Sequence, residues 1–480
     1  MKFLSVVLLF VTNVCLADTA VQLLQKSTAP TFNPVSKQLP LTRWAWGISD
    51  DMNKELASRW GFAAEFFGDP KKITDPMSKE FARIKYIKEN NFKMYVNVIR
   101  PFFDDAAFKA WYPTYPNLYC DFSQVNPQYR QIFKLDTLKL MDPRNTGPIY
   151  DRAAQITKDW LSQIQAAYPL TLVMNGGEYG FPLYNSAWYF CPGLSADLNK
   201  YPTSAAFTSY YKSQFEKKIT DASHAAAPTA KYVLYPTDGN EYRGQYSSWD
   251  MWSWDWSYMK STVDLPGSSL YYKQFNDGWT GTYDLLTQAL NARGTEIATG
   301  YPLSFQWTCA GWSLTDTTKV SDDVHYEGFL KALYMAGASG AVAGYFSYTP
   351  TYTGDCGTTH PDWLRQVEIL SKVHAQFSWL DDYIFNGTLL PGDKGLHKFN
   401  KKYPAYELNT GDANVRVIVR KRNDKDEWLL SAWAASGLDR NVTVTIPIAG
   451  AITVMATANA KLYKITPVTV VTGYKAEEVK

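Results

Sequence analysis

The chain has 480 residues and a formal net charge of +2 at pH 7, with acidic and basic residues interspersed. That length exceeds one small domain and suits a large domain followed by a smaller one. The balanced charge excludes the basic stripe that a nucleic-acid partner needs. Nothing after the first residues approaches the ~20 uninterrupted apolar residues of a membrane span.

The amino terminus reads as a leader. Lys2 gives a short positive region, Phe3 to Val11 an apolar one, and Cys15-Leu16-Ala17 places small residues ahead of Asp18. Residues 1–17 are expected to be a secretory signal peptide, cut from a protein that is secreted or periplasmic. Val14 stands where a lipid-anchored protein carries a small residue, which argues against an anchor. Cys120, Cys191, Cys309 and Cys356 remain. In an oxidising compartment they allow one or two disulfides and three pairings. No CxxC or Cys/His cluster suggests a metal, and no organic cofactor is expected.

In chain order, residues 18–40 carry Pro30, Pro34 and Pro40, hold no period and form an N-terminal arm. Thr42 to Ser49 predicts a strand, and Asp51 to Trp60 a helix capped by Asp50 or Asp51. Gly61 to Phe67 is a second strand, Lys79 to Asn90 a helix capped by Ser78, and Phe92 to Ile99 a third strand. An aromatic insertion runs from Arg100 to about Gly147. Asp151 to Tyr168 is a helix whose apolar face holds Ala153, Ile156, Trp160, Ile164 and Ala167. Leu170 to Asn175 is a fourth strand with the continuous apolar run of a strand buried on both faces. Gly176-Gly177-Glu178-Tyr179-Gly180-Phe181 follows, a carboxylate between glycines that let a ligand approach the backbone.

The second half repeats the rhythm. Ser204 to Ala226 contains a helix, and Lys231 to Pro236 is a strand leading to Asp238. Ser269 to Phe275 is a strand ending at Asn276-Asp277-Gly278, and Tyr283 to Ala292 a helix. Pro302 to Thr308 is a strand, Asp323 to Ala338 a helix capped by Asp322 or Asp323, Ala341 to Tyr348 the eighth strand and Pro361 to Phe377 the eighth helix. Eight strand–helix units demand a parallel sheet, and predict a (β/α)8 barrel over 41–380 with its site at the strand carboxyl ends. An open doubly wound sheet is disfavoured, because no Gly-rich phosphate loop follows the first strand. From Tyr406 to Ile465, short strands separated by turn residues predict a small antiparallel β-sandwich over 381–480. Its role is packing against the barrel or carbohydrate binding.

Acids fall at predicted strand ends: Asp50 and Asp51, Glu65, Glu178, Asp238 and Glu241, and Asp277. Cleavage of a glycosidic bond needs two carboxyl groups, one to protonate the leaving oxygen and one to attack or to activate water. Glu178 is expected to be the general acid, its pKa raised by aromatic surroundings. Asp277 is the first choice for the second carboxylate and Asp238 the next, although Asp-Gly is also an ordinary turn signal, and Glu241 is a further alternative. Asp50 and Asp51 read as helix caps. With 17 Trp and 33 Tyr, the chain holds more aromatic side chains than a core needs. Asn175, Tyr179, Tyr235, Trp279, Trp307, Trp312 and Trp46 are therefore expected to contact sugar, the rings either by stacking or else as core.

A secreted eightfold βα pattern followed by a small β-sandwich resembles the barrel glycoside hydrolases, over most of the mature chain and at the level of architecture. Their large retaining clan carries Asn-Glu at the end of strand four and a nucleophilic Glu at the end of strand seven. Here Glu178 matches the first Glu, but Asn175 lies three residues before it, and strand seven ends in Gln306-Trp307-Thr308-Cys309 with no carboxylate. Other barrel hydrolases take their acids from strands four, five and six, which Glu178, Asp238 and Asp277 resemble more closely. The resemblance implies hydrolysis of O-glycosyl bonds in a poly- or oligosaccharide. The alternatives are a non-catalytic carbohydrate-binding protein on a degenerate barrel and a polysaccharide lyase.

Overall fold

The computed structural model describes residues 25–27, 31–43, 50–98, 109–175, 190–202, 204–234, 258–267, 269–271, 290, 293–294, 296–309, 322–343, 361–392, 406–434, 437–468 and 473–479. Up to residue 378 the main elements are β1 (Thr42–Arg43), α1 (Asp50–Trp60), β2 (Ala64–Phe66), α2 (Lys79–Glu89), β3 (Met94–Asn97), α3 (Pro127–Ile132), α4 (Pro148–Ala167), β4 (Leu172–Asn175), α5 (Leu194–Leu198), α6 (Ser204–Ala226), β5 (Lys231–Leu234), β6 (Leu265–Pro266), β7 (Ser269–Tyr271), β8 (Ser304–Cys309), α7 (Asp323–Met335), β9 (Ala338–Ala343) and α8 (Pro361–Ser378).

The caps explain where several helices begin. Ser78 Oγ accepts the Phe81 N–H at 3.0 Å, and Asp322 Oδ1 accepts the His325 N–H at 3.0 Å. Each meets one of the orphan donors of a first turn. α4 starts three residues earlier than its periodicity suggests, at Pro148, where proline's missing N–H is not needed. Its buried stripe is Ala153, Thr157, Leu161 and Ile164, and Ile156 and Trp160 flank it half-buried. The expected face is thus rotated, because Thr157 satisfies its hydroxyl on the Ala153 carbonyl at 2.8 Å and so tolerates burial.

β2, β3, β4, β5 and β6 form one parallel sheet in chain order. β1, β9, β8 and β7 form a second parallel sheet. Leu41 and Phe62 make a parallel bridge between the two, and the Ala63 N–H donates to Leu41 O at 2.8 Å. At the other margin, β6 and β7 are consecutive pieces of the segment 265–271, the first paired with β5 and the second with β8.

Strand side chains alternate in direction, which gives these sheets two distinct faces. On one, called inner here, Ala63, Tyr95, Leu172, Met174, Phe305 and Trp307 from both sheets pack together. On the other, Phe66, Val96, Val173 and Tyr232 pack against Ile87 of α2, Leu161 of α4 and Ile219 of α6. Burial on both faces accounts for the unbroken Leu-Val-Met run of β4, each such side chain contributing about 1.5–3 kcal/mol. The arm packs at the amino ends of the strands. Phe32 stacks on His374 with ring centroids 4.9 Å apart, the Asn33 N–H donates to Ser378 Oγ at 2.8 Å, and the Leu39 N–H donates to Ser339 O at 2.7 Å. A disulfide joins Cys120, in the insertion after β3, to Cys191, in the segment after β4. That selects one of the three pairings. Cys356 lies outside the described residues.

The chain continues through α9 (Asp381–Phe385) into β10 (Gly387–Leu389), β11 (Val415–Arg422), β12 (Trp428–Ala434), β13 (Arg440–Ile446), β14 (Gly450–Ala456), β15 (Lys461–Pro467) and β16 (Tyr474–Glu478). β10, β11, β12, β15 and β16 form an antiparallel sheet in that order, and β13 pairs with β14 as a hairpin. β10 and β16 are edge strands that the residue pattern did not announce, whereas Tyr406 to Leu408 contributes only a bridge from Leu408 to Val417. Val442, Val444, Ile452 and Val454 of the hairpin pack on Val417, Trp428 and Leu430 of the sheet. From the sheet's other face Ile418, Leu429 and Trp433 join Phe329 and Leu333 of α7 in a single core. Arg420 of β11 is 2% exposed. Its guanidinium donates to the carbonyls of Tyr383 (2.7 Å), Met335 (3.0 Å), Ile384 (3.1 Å) and Gly387 (3.0 Å).

Candidate functional site

Strand alternation builds the described part of the site. Glu65 follows inner-facing Ala63 by two residues and Asn97 follows inner-facing Tyr95 by two, so both occupy the inner side one step nearer the strand carboxyl ends. The β2–β3 register sets Glu65 beside Tyr95, and the β3–β4 register sets Asn97 beside Met174. Asn97 Nδ2 donates to Glu65 Oε1 at 2.7 Å. The Tyr95 hydroxyl lies 3.3 Å from Glu65 Oε2 and 2.9 Å from the Arg43 carbonyl oxygen. Burial, followed by the charge of Glu65, raises the Tyr95 pKa far above its ordinary value, with Arg43 opposing, so this hydroxyl keeps its proton. Buried Arg43 donates from Nη1 to Asn53 Oδ1 of α1 at 2.9 Å, and Arg83 Nε donates to the Glu65 carbonyl at 2.9 Å. The result is a half-buried carboxylate–amide pair held from three strands above an apolar floor. Such a pair accepts hydrogen bonds from hydroxyl groups and returns one from its amide.

Sequence reasoning placed Glu65 among the strand-end acids but did not single it out, and it missed Asn97. The signal was the alternation within Tyr95-Val96-Asn97 on a strand with an apolar outer face; the cross-strand register that brings Glu65 and Asn97 together is not written in either segment.

Glu178, Tyr179, Tyr235, Asp238, Asp277, Trp279, Trp312 and Trp46 lie outside the described residues. Trp307 is 1% exposed and packs in the inner core. Asn175, the last residue of β4, turns to the outer side, where its Nδ2 donates to Glu216 Oε1 of α6 at 3.2 Å. The Tyr232 hydroxyl of β5 donates to Glu216 Oε2 at 2.8 Å. Burial raises the Glu216 pKa to about 7, against the hydrogen bond from Tyr232 and the charge of Lys212. Burial lowers that of Lys212, which Glu216 partly offsets. This buried polar cluster ties β4, β5 and α6 together behind the strand ends. Sequence reasoning did not anticipate it, since a Glu four residues after a Lys on a helix usually marks a solvated face.

The aromatic insertion folds around a surface pocket of about 550 Å³ lined by Tyr112, Tyr119, Phe122, Arg130 and Lys139 among others. The Lys139 ammonium sits 4.0 Å from the centre of the Tyr112 ring, a cation–π contact. Among the described residues, no group of three His, Cys, Asp or Glu side chains converges as a metal site. Among the same residues, no helix is long and apolar enough to cross a membrane.

No sequence-family model matches the chain. No curated protein matches it either. Among solved structures it is similar to a β-galactosidase from G. stearothermophilus, at TM-score 0.44 and 11% identity over 73% of this chain and 58% of that one. It is similar to an α-galactosidase from Geobacillus stearothermophilus at TM-score 0.43 and 10% identity, covering 95% of this chain and 58% of that one. An α-amylase from Geobacillus thermoleovorans matches at TM-score 0.40 and 9% identity, over 90% of this chain and 88% of that one. The chain thus spans less than two thirds of either galactosidase.

Proposed function

We propose that the chain is a secreted glycoside hydrolase, with residues 1–17 as its signal peptide, a (β/α)8 barrel over 41–380 and a β-sandwich over 381–480. The observation that carries this reading is the Glu65–Asn97 pair at the carboxyl ends of parallel, helix-covered strands, the end where barrel enzymes keep their chemistry. The β1–β9 pairing, the Leu41–Phe62 bridge and the shared segment 265–271 support closure of the two sheets into one ring.

In this reading Glu178, three residues beyond the end of β4, protonates the glycosidic oxygen as the bond to the anomeric carbon breaks. Asp277, or Asp238 in its place, attacks that carbon or takes a proton from the attacking water. Carboxyls roughly 5–5.5 Å apart give retention and roughly 6.5–9.5 Å apart give inversion. Tyr179, Tyr235, Trp279, Trp312 and Trp46 stack on the sugar rings, and Asn175 anchors the end of β4. The substrate is a poly- or oligosaccharide, and no metal or organic cofactor enters the reaction.

Reducing-sugar release from a panel of plant, algal and animal polysaccharides tests this, with wild type and Glu178→Gln side by side. The wild type should release sugar and the variant should lose at least about a hundredfold of the rate, the contribution of a positioned general acid. Near wild-type activity in Glu178→Gln removes that assignment. Release by neither protein from any polysaccharide removes the hydrolase reading.

A further inference from the structure

The Tyr95 hydroxyl carries one proton and faces two acceptors. Arg43 O is the nearer at 2.9 Å, and Glu65 Oε2 lies at 3.3 Å. The hydroxyl donates to both, the bond to Glu65 Oε2 being the longer, and each carboxylate oxygen keeps a second lone pair. Oε1 is already held by Asn97. A half-buried carboxylate with lone pairs to spare, beside an amide that both donates and accepts, matches the edge of a sugar ring, where adjacent hydroxyls do the same. A carboxylate at this edge repels an acidic sugar, which leaves a neutral polyhydroxylated ligand.

We propose that Glu65 and Asn97 form a sugar-hydroxyl binding site, in which Glu65 Oε2 accepts a ligand hydroxyl and Asn97 orients the carboxylate. This deepens the hydrolase reading and rests on it for the ligand class. Glu65 is here a binding and specificity residue and takes no part in proton transfer at the glycosidic bond.

Affinity electrophoresis through gels containing starch, galactan, xylan or laminarin tests it, with alginate as the acidic comparison. Wild type, Glu65→Gln, Glu65→Ala and Asn97→Ala are run together after their folding is checked by circular dichroism. Wild type should be retarded by at least one neutral polysaccharide. Both Glu65 variants should weaken that binding about ten- to a hundredfold, as loss of a charged hydrogen bond implies. Asn97→Ala should fall between, and it carries the test if the Glu65 variants do not fold. Unchanged retardation in the folded variants, or no retardation of the wild type by any neutral polysaccharide, overturns the proposal. Glu65-dependent retardation without reducing-sugar release would leave the binding site standing and remove the hydrolase reading. Release with unchanged retardation in the Glu65 variants would do the reverse.

Discussion

Replacing Arg420 with Met should separate the carboxy-terminal sheet from the parallel part. The guanidinium is fully buried and meets carbonyls at the end of α7, in and just before the end of α9, and at the start of β10. Burial, and then the charge of Arg293, lowers its pKa to about 9, so it stays charged at neutral pH and carbonyl dipoles carry that charge. Met keeps the apolar stem but leaves three buried acceptors and the half-buried Gly387 carbonyl without their donor, at roughly 1–3 kcal/mol for each buried one. Removing a buried charge returns several kcal/mol of desolvation. The net destabilisation should be about 3–5 kcal/mol. In urea, wild type should unfold in one transition, with Ile418, Leu429 and Trp433 of the sheet sharing a core with α7. The variant should show a lower midpoint and separate fluorescence and circular dichroism transitions. Coincident transitions with a stability within about 1 kcal/mol of wild type would refute the reasoning.

His374 is buried, shares a hydrogen bond with the Tyr334 hydroxyl at 2.7 Å, and has its pKa lowered to about 3 by burial and then by Lys93. The unfolded chain takes up its proton below about pH 6.5 and the folded one does not, so stability should fall on the order of 4 kcal/mol between pH 6.5 and 3. His374→Gln should flatten that slope in pH-dependent urea melts, and an unchanged slope would clear His374 of the effect. Glu216 has the opposite sign: its raised pKa holds a proton that the unfolded chain releases between about pH 4.5 and 7, so its share of stability is lost as pH rises through that window. Glu216→Gln should be the more stable protein at pH 8, on the order of 3 kcal/mol, and equal to wild type near pH 4; a less stable variant at pH 8 would show that pairing with Lys212 outweighs the cost of burial. A Cβ at Gly267 would lie 2.7 Å from Phe305 O and closer still to the Trp307 ring, so Gly267→Ala should cost about 1–3 kcal/mol by overpacking. An unchanged melting temperature would mean that this inner layer is looser than its burial indicates.

Much of the fold was legible because its signals are local. The hydroxyl of Ser78 and the carboxylate of Asp322 lie where the sequence predicted helix caps. The Leu-Val-Met run announced β4, since a strand covered on both faces needs no alternation. The failures have physical causes too. β10 is a Gly-Thr-Leu edge held by pairing with β11, and β16 is polar, so neither carries an apolar period. β9 begins at Ala338, earlier than expected. Gly337, at φ +104°, ends the chain's helical course there, and a Cβ at that position would meet Pro302 O. In the site, strand-end acids could be enumerated, but the Glu65–Asn97 contact spans 32 residues and depends on register. Register is a property of two strands together.

The pairing of β1 with β9 also sets an order of events during synthesis. Thr42 and Arg43 find Val342 and Ala343 only after about 300 further residues have been made, and Asn33 waits longer still for Ser378. At translation rates of about 5–20 residues per second, that delay is roughly 15–60 s. During it the first strand presents an open backbone edge, and open edges recruit foreign strands. In a chain of this topology β1 therefore cannot take its place beside β9 until nearly three quarters of the sequence has been made.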